Sequence, residues 1–230
     1  MKNKLFLLTL VVIFSLFLCI SCSTDREYNE EDVLSSAEKL IKKSEIVNEI
    51  YYGHGIEYYK DESTANGAYY QADFLSLRKF GVENINDIKK MTTECFTENL
   101  SNSMINNTLS SIQDEDGIQT FSRYYQKYSA LDNTEECIMV YKDAIVYLTD
   151  KVTYDYSTLR VSRVEKNEVF VKIDVLVTTV KDDVDLVQTQ TLEIGLLEED
   201  DGWRINSPTY TKYVDRDYYN DLQNKNNKNK

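Results

Sequence analysis

The sequence predicts an α+β fold in which N-terminal helices pack on a curved, mostly antiparallel sheet. Two observations predict it. Apolar residues recur at steps of three and four through the first half of the chain, which is typical of helices, and at steps of two from residue 136 onward, which is typical of strands. Because the helices form one run and the strands another, we expect the helices to lie together on one side of the sheet.

The first helix is predicted from an apolar stripe that stops just before Gly53. The stripe comprises Val33, Leu34, Ala37, Leu40, Ile41, Val47, Ile50 and Tyr51. Glycine commonly follows the last turn of a helix, so the helix is expected to end at this position.

Two further helical faces follow the first. One contains Tyr70, Phe74, Leu77 and Phe80 and ends at Gly81; the other contains Ile85, Ile88, Met91, Cys95 and Phe96. Asn84 is placed to cap the latter helix, which extends or restarts through Leu100, Met104, Ile105 and Leu109. The aromatic residues Phe121, Tyr124, Tyr125 and Tyr128 fit a helix and a strand equally well.

The clearest strand has an apolar face of five β-branched residues, Val169, Val171, Ile173, Val175 and Val177. Asp182-Asp183 is the expected turn into the next strand, on which Leu192, Ile194 and Leu196 point one way. Asp200-Asp201-Gly202 is typical of a hairpin turn. Less regular strands are expected at 137–141, 144–149 and 157–164.

The N-terminus is typical of an exported lipoprotein. Lys2 and Lys4 precede an apolar run over residues 5–20, and small Ser21 stands directly before Cys22. The run of about 16 residues is shorter than the roughly 20 that a membrane-spanning helix needs. The segment resembles a bacterial lipobox, which implies that the Cys22 thiol carries a diacylglycerol and anchors the protein to the outer face of the cell membrane.

These features predict four segments: a signal peptide at 1–21, a tether at 22–30, one α+β domain at 31–219 and a disordered tail at 220–230. The net charge of −13 becomes −15 when the two lysines of the signal peptide are removed. Such a charge argues against nucleic acid as a partner, because binding it requires clustered Lys and Arg. It favours basic partners, such as a basic extracytoplasmic protein.

The sequence contains no pattern that predicts a catalytic or metal site. His54, the only histidine, lies between two glycines in a predicted exposed loop with no nucleophile beside it. Asp114-Glu115-Asp116-Gly117 lacks the third and final ligands of a calcium loop, since Ile118 and Tyr125 occupy those positions. No cofactor is expected. Cys95 and Cys137 could form a disulfide in an exported protein. The alternative that we predict is two unbridged thiols inside the core.

Two features remain as candidate binding sites. Glu198, Glu199, Asp200 and Asp201 form an acidic cluster on the predicted hairpin, where they are expected to be exposed and able to contact a partner. Trp203 follows after Gly202. It either lines a ligand pocket or fills the core between sheet and helices, and the core position is the favoured one.

The layout over about residues 30–212 resembles the cystatin-like cone of nuclear-transport-factor-like domains in Gram-positive lipoproteins. Residues 196–210, Phe96-Thr97-Glu98 and Ile50-Tyr51-Tyr52-Gly53 carry the resemblance. Some members of this superfamily are enzymes and many bind ligands or proteins. Because no catalytic motif is found here, the expected function is a surface-anchored, non-enzymatic module that binds a ligand or a protein. A second resemblance, to secreted inhibitors of cell-wall endopeptidases, implies an inhibitor of a basic wall hydrolase. A small cone-type enzyme is a further alternative.

Overall fold

We describe a computed structural model, which places residues 28–109, 112–113, 119–120, 122–129, 131, 134–148, 150–181 and 184–210. The predicted signal peptide, Cys22, the Asp114–Gly117 loop, the Asp182-Asp183 turn and the tail at 220–230 lie outside these residues.

The first element, α1 (Glu30–Tyr52), is a 23-residue helix whose buried face follows the predicted stripe. The Asn29 side chain caps its start by accepting a hydrogen bond from the Glu31 amide at 3.0 Å. At the other end the Gly53 amide donates to the carbonyls of Asn48 and Glu49, so the helix ends at the predicted glycine.

Three shorter helices follow: α2 (Phe74–Phe80), α3 (Ile85–Thr93) and α4 (Glu98–Leu109). Gly81 ends α2 in the left-handed conformation, with φ of 68°. Asn84 caps α3 as predicted, and the alternative of a restart is correct, because the four residues 94–97 separate α3 from α4.

The strands form two open four-stranded antiparallel sheets and a two-stranded ribbon among the described residues. The first sheet has the order β1 (Ala65–Asn66), β2 (Tyr69–Gln71), β6 (Glu135–Tyr141), β5 (Tyr124–Tyr128). The second has the order β10 (Gly202–Ile205), β9 (Val184–Glu199), β8 (Glu168–Lys181), β7 (Lys151–Glu165). The ribbon pairs β3 (Ile112–Gln113) with β4 (Gln119–Thr120).

The core lies between α1 and the inner face of the second sheet. All five β-branched residues predicted for the inner face of β8 are buried, from Val169 to Val177. Ile194 and Leu196 of β9 and Ile205 of β10 are buried beside them, and Val33, Ala37 and Ile41 of α1 belong to the same cluster. The α+β class is therefore correct.

Three local predictions are wrong. Tyr70 lies on β2 and not on a helix, because this segment pairs with β6, where Tyr70 faces Val140. Residues 144–148 form no strand, because the amides of Tyr147 and Leu148 both donate to the Tyr52 carbonyl at the end of α1. A single sheet was expected, but β1 and β2 are inserted before α2 and join β5 and β6 in a sheet of their own.

Candidate functional site

A cleft of about 240 Å³ opens at the end of the molecule where α1 begins. It lies between the first turn of α1, the tight turn that joins β7 to β8, and strand β10. The side chains that line it are Tyr28, Asn29, Asp32, Val33, Val164, Lys166, Asn167, Val169, Glu198 and Trp203. Val33 and Val169 are buried, and Asp32, Lys166 and Glu198 are exposed. The cleft therefore has an apolar floor and a charged rim.

Hairpin pairing between β9 and β10 brings the predicted acids and Trp203 to this cleft. Glu198 lies directly opposite Trp203, and Glu199 lies opposite Gly202, so Asp200 and Asp201 form the turn. Gly202 has φ of 125°, a conformation that L-residues with a side chain rarely adopt. The turn prediction is confirmed.

Trp203 is half-buried and packs against the core cluster, and it also lines the cleft. Since directly opposite cross-strand residues have their Cβ atoms about 5 Å apart, the Glu198 carboxylate stands beside the indole.

The four acids differ in what they contact. Glu199 accepts a hydrogen bond from the Glu98 amide at 3.4 Å, at the start of α4, where a helix favours negative charge. Asp201 pairs with Arg204 at 2.5 Å, and Arg204 also donates to the Thr93 carbonyl that ends α3. These contacts link Glu199 to α4 and, through Arg204, Asp201 to α3. Glu198 at the rim of the cleft and Asp200 at the turn are exposed to solvent.

A second, more apolar groove of about 490 Å³ runs beside α2. Phe74, which lines the groove, is 63% exposed, and the neighbouring Leu75 is 72% exposed. The helical spacing had placed Phe74 on the buried face with Leu77 and Phe80. That prediction is wrong for Phe74, because α2 is only two turns long and buries its C-terminal part.

A buried arginine is the main feature that sequence reasoning missed. Arg123 is 8% exposed, and its guanidinium donates to the carbonyls of Tyr51, Gly53 and His54 and to the Tyr124 hydroxyl. The Tyr124 hydroxyl in turn donates to the Ile50 carbonyl and accepts from the Ile56 amide. This cluster satisfies the carbonyls at the end of α1, and its cation lies at the negative end of the helix dipole.

The remaining candidates indicate no chemistry. His54 is exposed, as predicted. The pKa values of the Asp61, Glu94 and Glu193 carboxyls are lowered, for Glu94 chiefly by the hydrogen bond from Lys43, so these groups stay ionised. Within the described ranges no group of three or more His, Cys, Asp and Glu side chains could hold a metal ion. Nothing in this part of the chain indicates catalysis.

The two cysteines of the domain are free thiols in the structure. Cys95 is fully buried and its Sγ donates to the Leu40 carbonyl at 3.4 Å. Cys137 is only half-buried on β6, so the prediction of a core position is wrong for this residue. No helix among the described residues is long and apolar enough to cross a membrane.

The chain matches no protein-family model, and neither a curated protein nor a solved structure is similar to it.

Proposed function

We propose that the protein is a non-enzymatic binding module, anchored through a lipid on Cys22 to the outer face of the cell membrane. In this proposal the cleft beside Trp203, together with exposed Glu198 and Asp200, contacts a basic partner. The observation that carries it is the pairing of Glu198 with Trp203 at the rim of the cleft. We also propose the cystatin-like arrangement; the packing of α1 on the second sheet supports it.

The chemistry of the rim suits a lysine or arginine side chain. An indole face attracts a cation, and a neighbouring carboxylate adds a charge-assisted hydrogen bond. The predicted mature charge of −15 would steer a basic partner toward the protein, and this attraction weakens as salt screens it.

Binding can be followed through the fluorescence of Trp203, because it is the only tryptophan in the chain. We would titrate the purified domain with hexalysine and follow Trp203 emission at low and at high salt, with hexaglutamate as the control peptide. We expect saturable change with hexalysine only, weaker at high salt. The proposal fails if hexalysine leaves the emission unchanged or if hexaglutamate changes it equally.

A pair of charge-matched variants locates the contact. Glu198→Gln with Asp200→Asn removes two negative charges at the cleft end. Glu135→Gln with Asp143→Asn removes two from exposed positions on and just after β6, in the other sheet. We expect the first variant to bind hexalysine at least about tenfold more weakly and the second to remain near wild type. Equal effects of the two variants would indicate only a general influence of net charge.

The anchor has its own test. Lipobox chemistry requires the Cys22 thiol, so the Cys22→Ala protein should remain an unacylated, unprocessed precursor. Mass spectrometry of the membrane-extracted protein measures this directly. Diacylglycerol on the variant, or its absence from the wild type, would overturn the anchor.

A further inference from the structure

The start of the domain and the cleft lie at the same end of the molecule. Tyr28 and Asn29, the first described residues, line the cleft together with Glu198 and Trp203. Lys166 and Asn167, at the turn from β7 to β8, line it too. The point where the chain enters the domain is therefore part of the candidate binding site.

The chain between the proposed anchor and this cleft is short. Six residues, 22–27, separate the start of the mature protein from Tyr28. A fully extended chain spans at most about 3.6 Å per residue, so the tether reaches roughly 20 Å. However the domain rotates on this tether, Tyr28 and the cleft that it lines stay within about that distance of the bilayer surface.

The opposite end of the second sheet has no such restriction. Leu186, near the start of β9, is 46% exposed and lies 14 residues from Asp200 along the same hairpin arm. At about 3.3 Å per residue the two positions are roughly 45 Å apart. The tether therefore allows the far end of the sheet to lie up to about 45 Å farther from the membrane than the cleft.

We infer that the Trp203 cleft and the turn at Asp200 form the membrane-facing end of the anchored protein. The partner that this surface fits is a basic segment displayed at the bilayer by another membrane-associated protein. The inference rests on the proposed lipidation of Cys22 and on the proposed basic partner.

The negative charge of a bilayer surface favours a basic segment as the partner. Anionic lipids attract polybasic segments that lie next to a membrane, each Lys or Arg contributing about 1 kcal/mol near the surface. Such segments are therefore concentrated in the layer that the tether allows the cleft to reach. The acidic end itself is repelled by anionic lipids, so it stands off from the surface and leaves room for a cationic segment between protein and membrane.

Energy transfer from Trp203 to dansyl-labelled lipid headgroups tests the orientation. The lipidated protein would be inserted into phosphatidylcholine vesicles that contain dansyl-phosphatidylethanolamine. The matched control is Trp203→Phe with Leu186→Trp, which moves the single donor to the far end. We expect strong transfer from Trp203 and at least about threefold weaker transfer from position 186. Trp203 lies opposite Glu198, 12 residues from Leu186, so the two donor positions are roughly 40 Å apart, and energy transfer falls steeply over such a distance. Equal or stronger transfer from position 186 overturns the inference.

Two controls are needed to interpret the energy-transfer result. Protein that begins at Ser23, and therefore lacks both the signal peptide and the lipid, should show no transfer from either donor. Transfer that persists without the lipid would mean adsorption and contradict the tether argument. Because Trp203→Phe removes core contacts, thermal unfolding must show a folded domain. A spin label can replace the fluorescent donor, so that Trp203 is retained. The label would be attached to Asn167→Cys or to Leu186→Cys in a Cys137→Ser background. A paramagnetic metal chelate on the lipid headgroups then relaxes the label that lies nearer to the membrane.

Anchoring a basic peptide in the same membrane (co-anchoring) tests the proposed kind of partner. Myristoylated hexalysine in the same vesicles should change Trp203 emission at a bulk concentration at least about tenfold below that of free hexalysine, because both are confined to one layer. A 40-residue Gly/Ser linker inserted between residues 27 and 28 should reduce this gain. Failure of free hexalysine to bind contradicts the proposed function. Binding of free hexalysine with no gain on co-anchoring contradicts only the membrane-proximal partner.

Discussion

At the scale of single residues, Arg123 donates five hydrogen bonds from a position that is 8% exposed. It joins the end of α1 to the start of β5 through four carbonyls, the fourth being that of Ile145 at 3.3 Å. We expect Arg123→Met to lower the free energy of unfolding by about 3 kcal/mol, because it leaves several of these carbonyls buried and without a donor. Urea unfolding measures this change.

Arg123→Lys distinguishes loss of geometry from loss of charge. An ammonium group cannot supply the forked donors of a guanidinium, so we expect most of the destabilisation to remain in this variant. Arg160→Met on β7 is the control, since Arg160 is exposed. A wild-type unfolding midpoint for Arg123→Met would mean that the cluster contributes little.

Gly55 provides a second residue-scale prediction, with Gly67 as its matched control. Both have left-handed backbones, with φ of 70° and 63°. A Cβ on Gly55 would lie 2.1 Å from the Tyr124 hydroxyl, whereas a Cβ on Gly67 would meet nothing within 4 Å. Gly67→Ala should therefore cost about 1 kcal/mol of backbone strain. Gly55→Ala should cost about 1–3 kcal/mol more, because of steric overlap. Equal urea-unfolding midpoints for the two variants would contradict the tight packing around Gly55.

At the scale of elements, α3 depends on a reciprocal cap at its start. The Asn84 side chain accepts from the Asn86 amide at 2.9 Å, and Asp87 accepts from the Glu83 and Asn84 amides at 2.8 and 3.0 Å. We expect Asn84→Ala to destabilise the protein by about 1 kcal/mol. Asn86→Ala keeps the backbone amides that donate to Asn84 and Asp87, so its stability should remain near wild type in the same unfolding experiment. A larger loss of stability in Asn86→Ala than in Asn84→Ala would contradict this prediction.

The sequence could predict those elements that are determined by residues close together in the chain. Caps such as Asn84 and turns such as Asp200–Gly202 are determined by residues within a few positions of each other, and the alternation on β8 reports burial directly. The segments predicted wrongly, around Tyr70 and at 144–149, have partners on β6 and at the end of α1. No local pattern encodes those contacts.

At the scale of the whole molecule, buried ionisable groups predict a loss of stability at alkaline pH. Burial raises the pKa of the Cys95 thiol from 9.0 to about 12, and that of the Tyr51 hydroxyl from 10.0 to about 12. Above pH 9 the unfolded chain releases these protons while the folded protein retains them, so the free energy of unfolding falls as pH rises from about 9 to 12.

Urea midpoints at pH 7 and pH 10.5 measure this loss, to which Cys95 alone should contribute about 2 kcal/mol. Cys95→Ala should therefore reduce the pH dependence, whatever it does to stability at pH 7. Cys137→Ala, at a half-buried position, should reduce it less. Equal pH dependence in the wild type and Cys95→Ala would contradict the buried neutral thiol.

The sequence alone determined the α+β class, the end of α1 at Gly53, the Asn84 cap of α3, the buried face of β8 and the acidic hairpin, because each depends on neighbouring residues or on a regular period. It also led to the expectation of an anchor at Cys22, which remains a prediction. Only the tertiary structure decided that Glu199 and Asp201 have intramolecular partners, that Arg123 is buried, and that Trp203 lines a cleft beside Tyr28. Tyr28 and Trp203 lie more than 170 positions apart in the chain. Their proximity arises from the packing of α1 across the second sheet, a contact that no short-range pattern specifies.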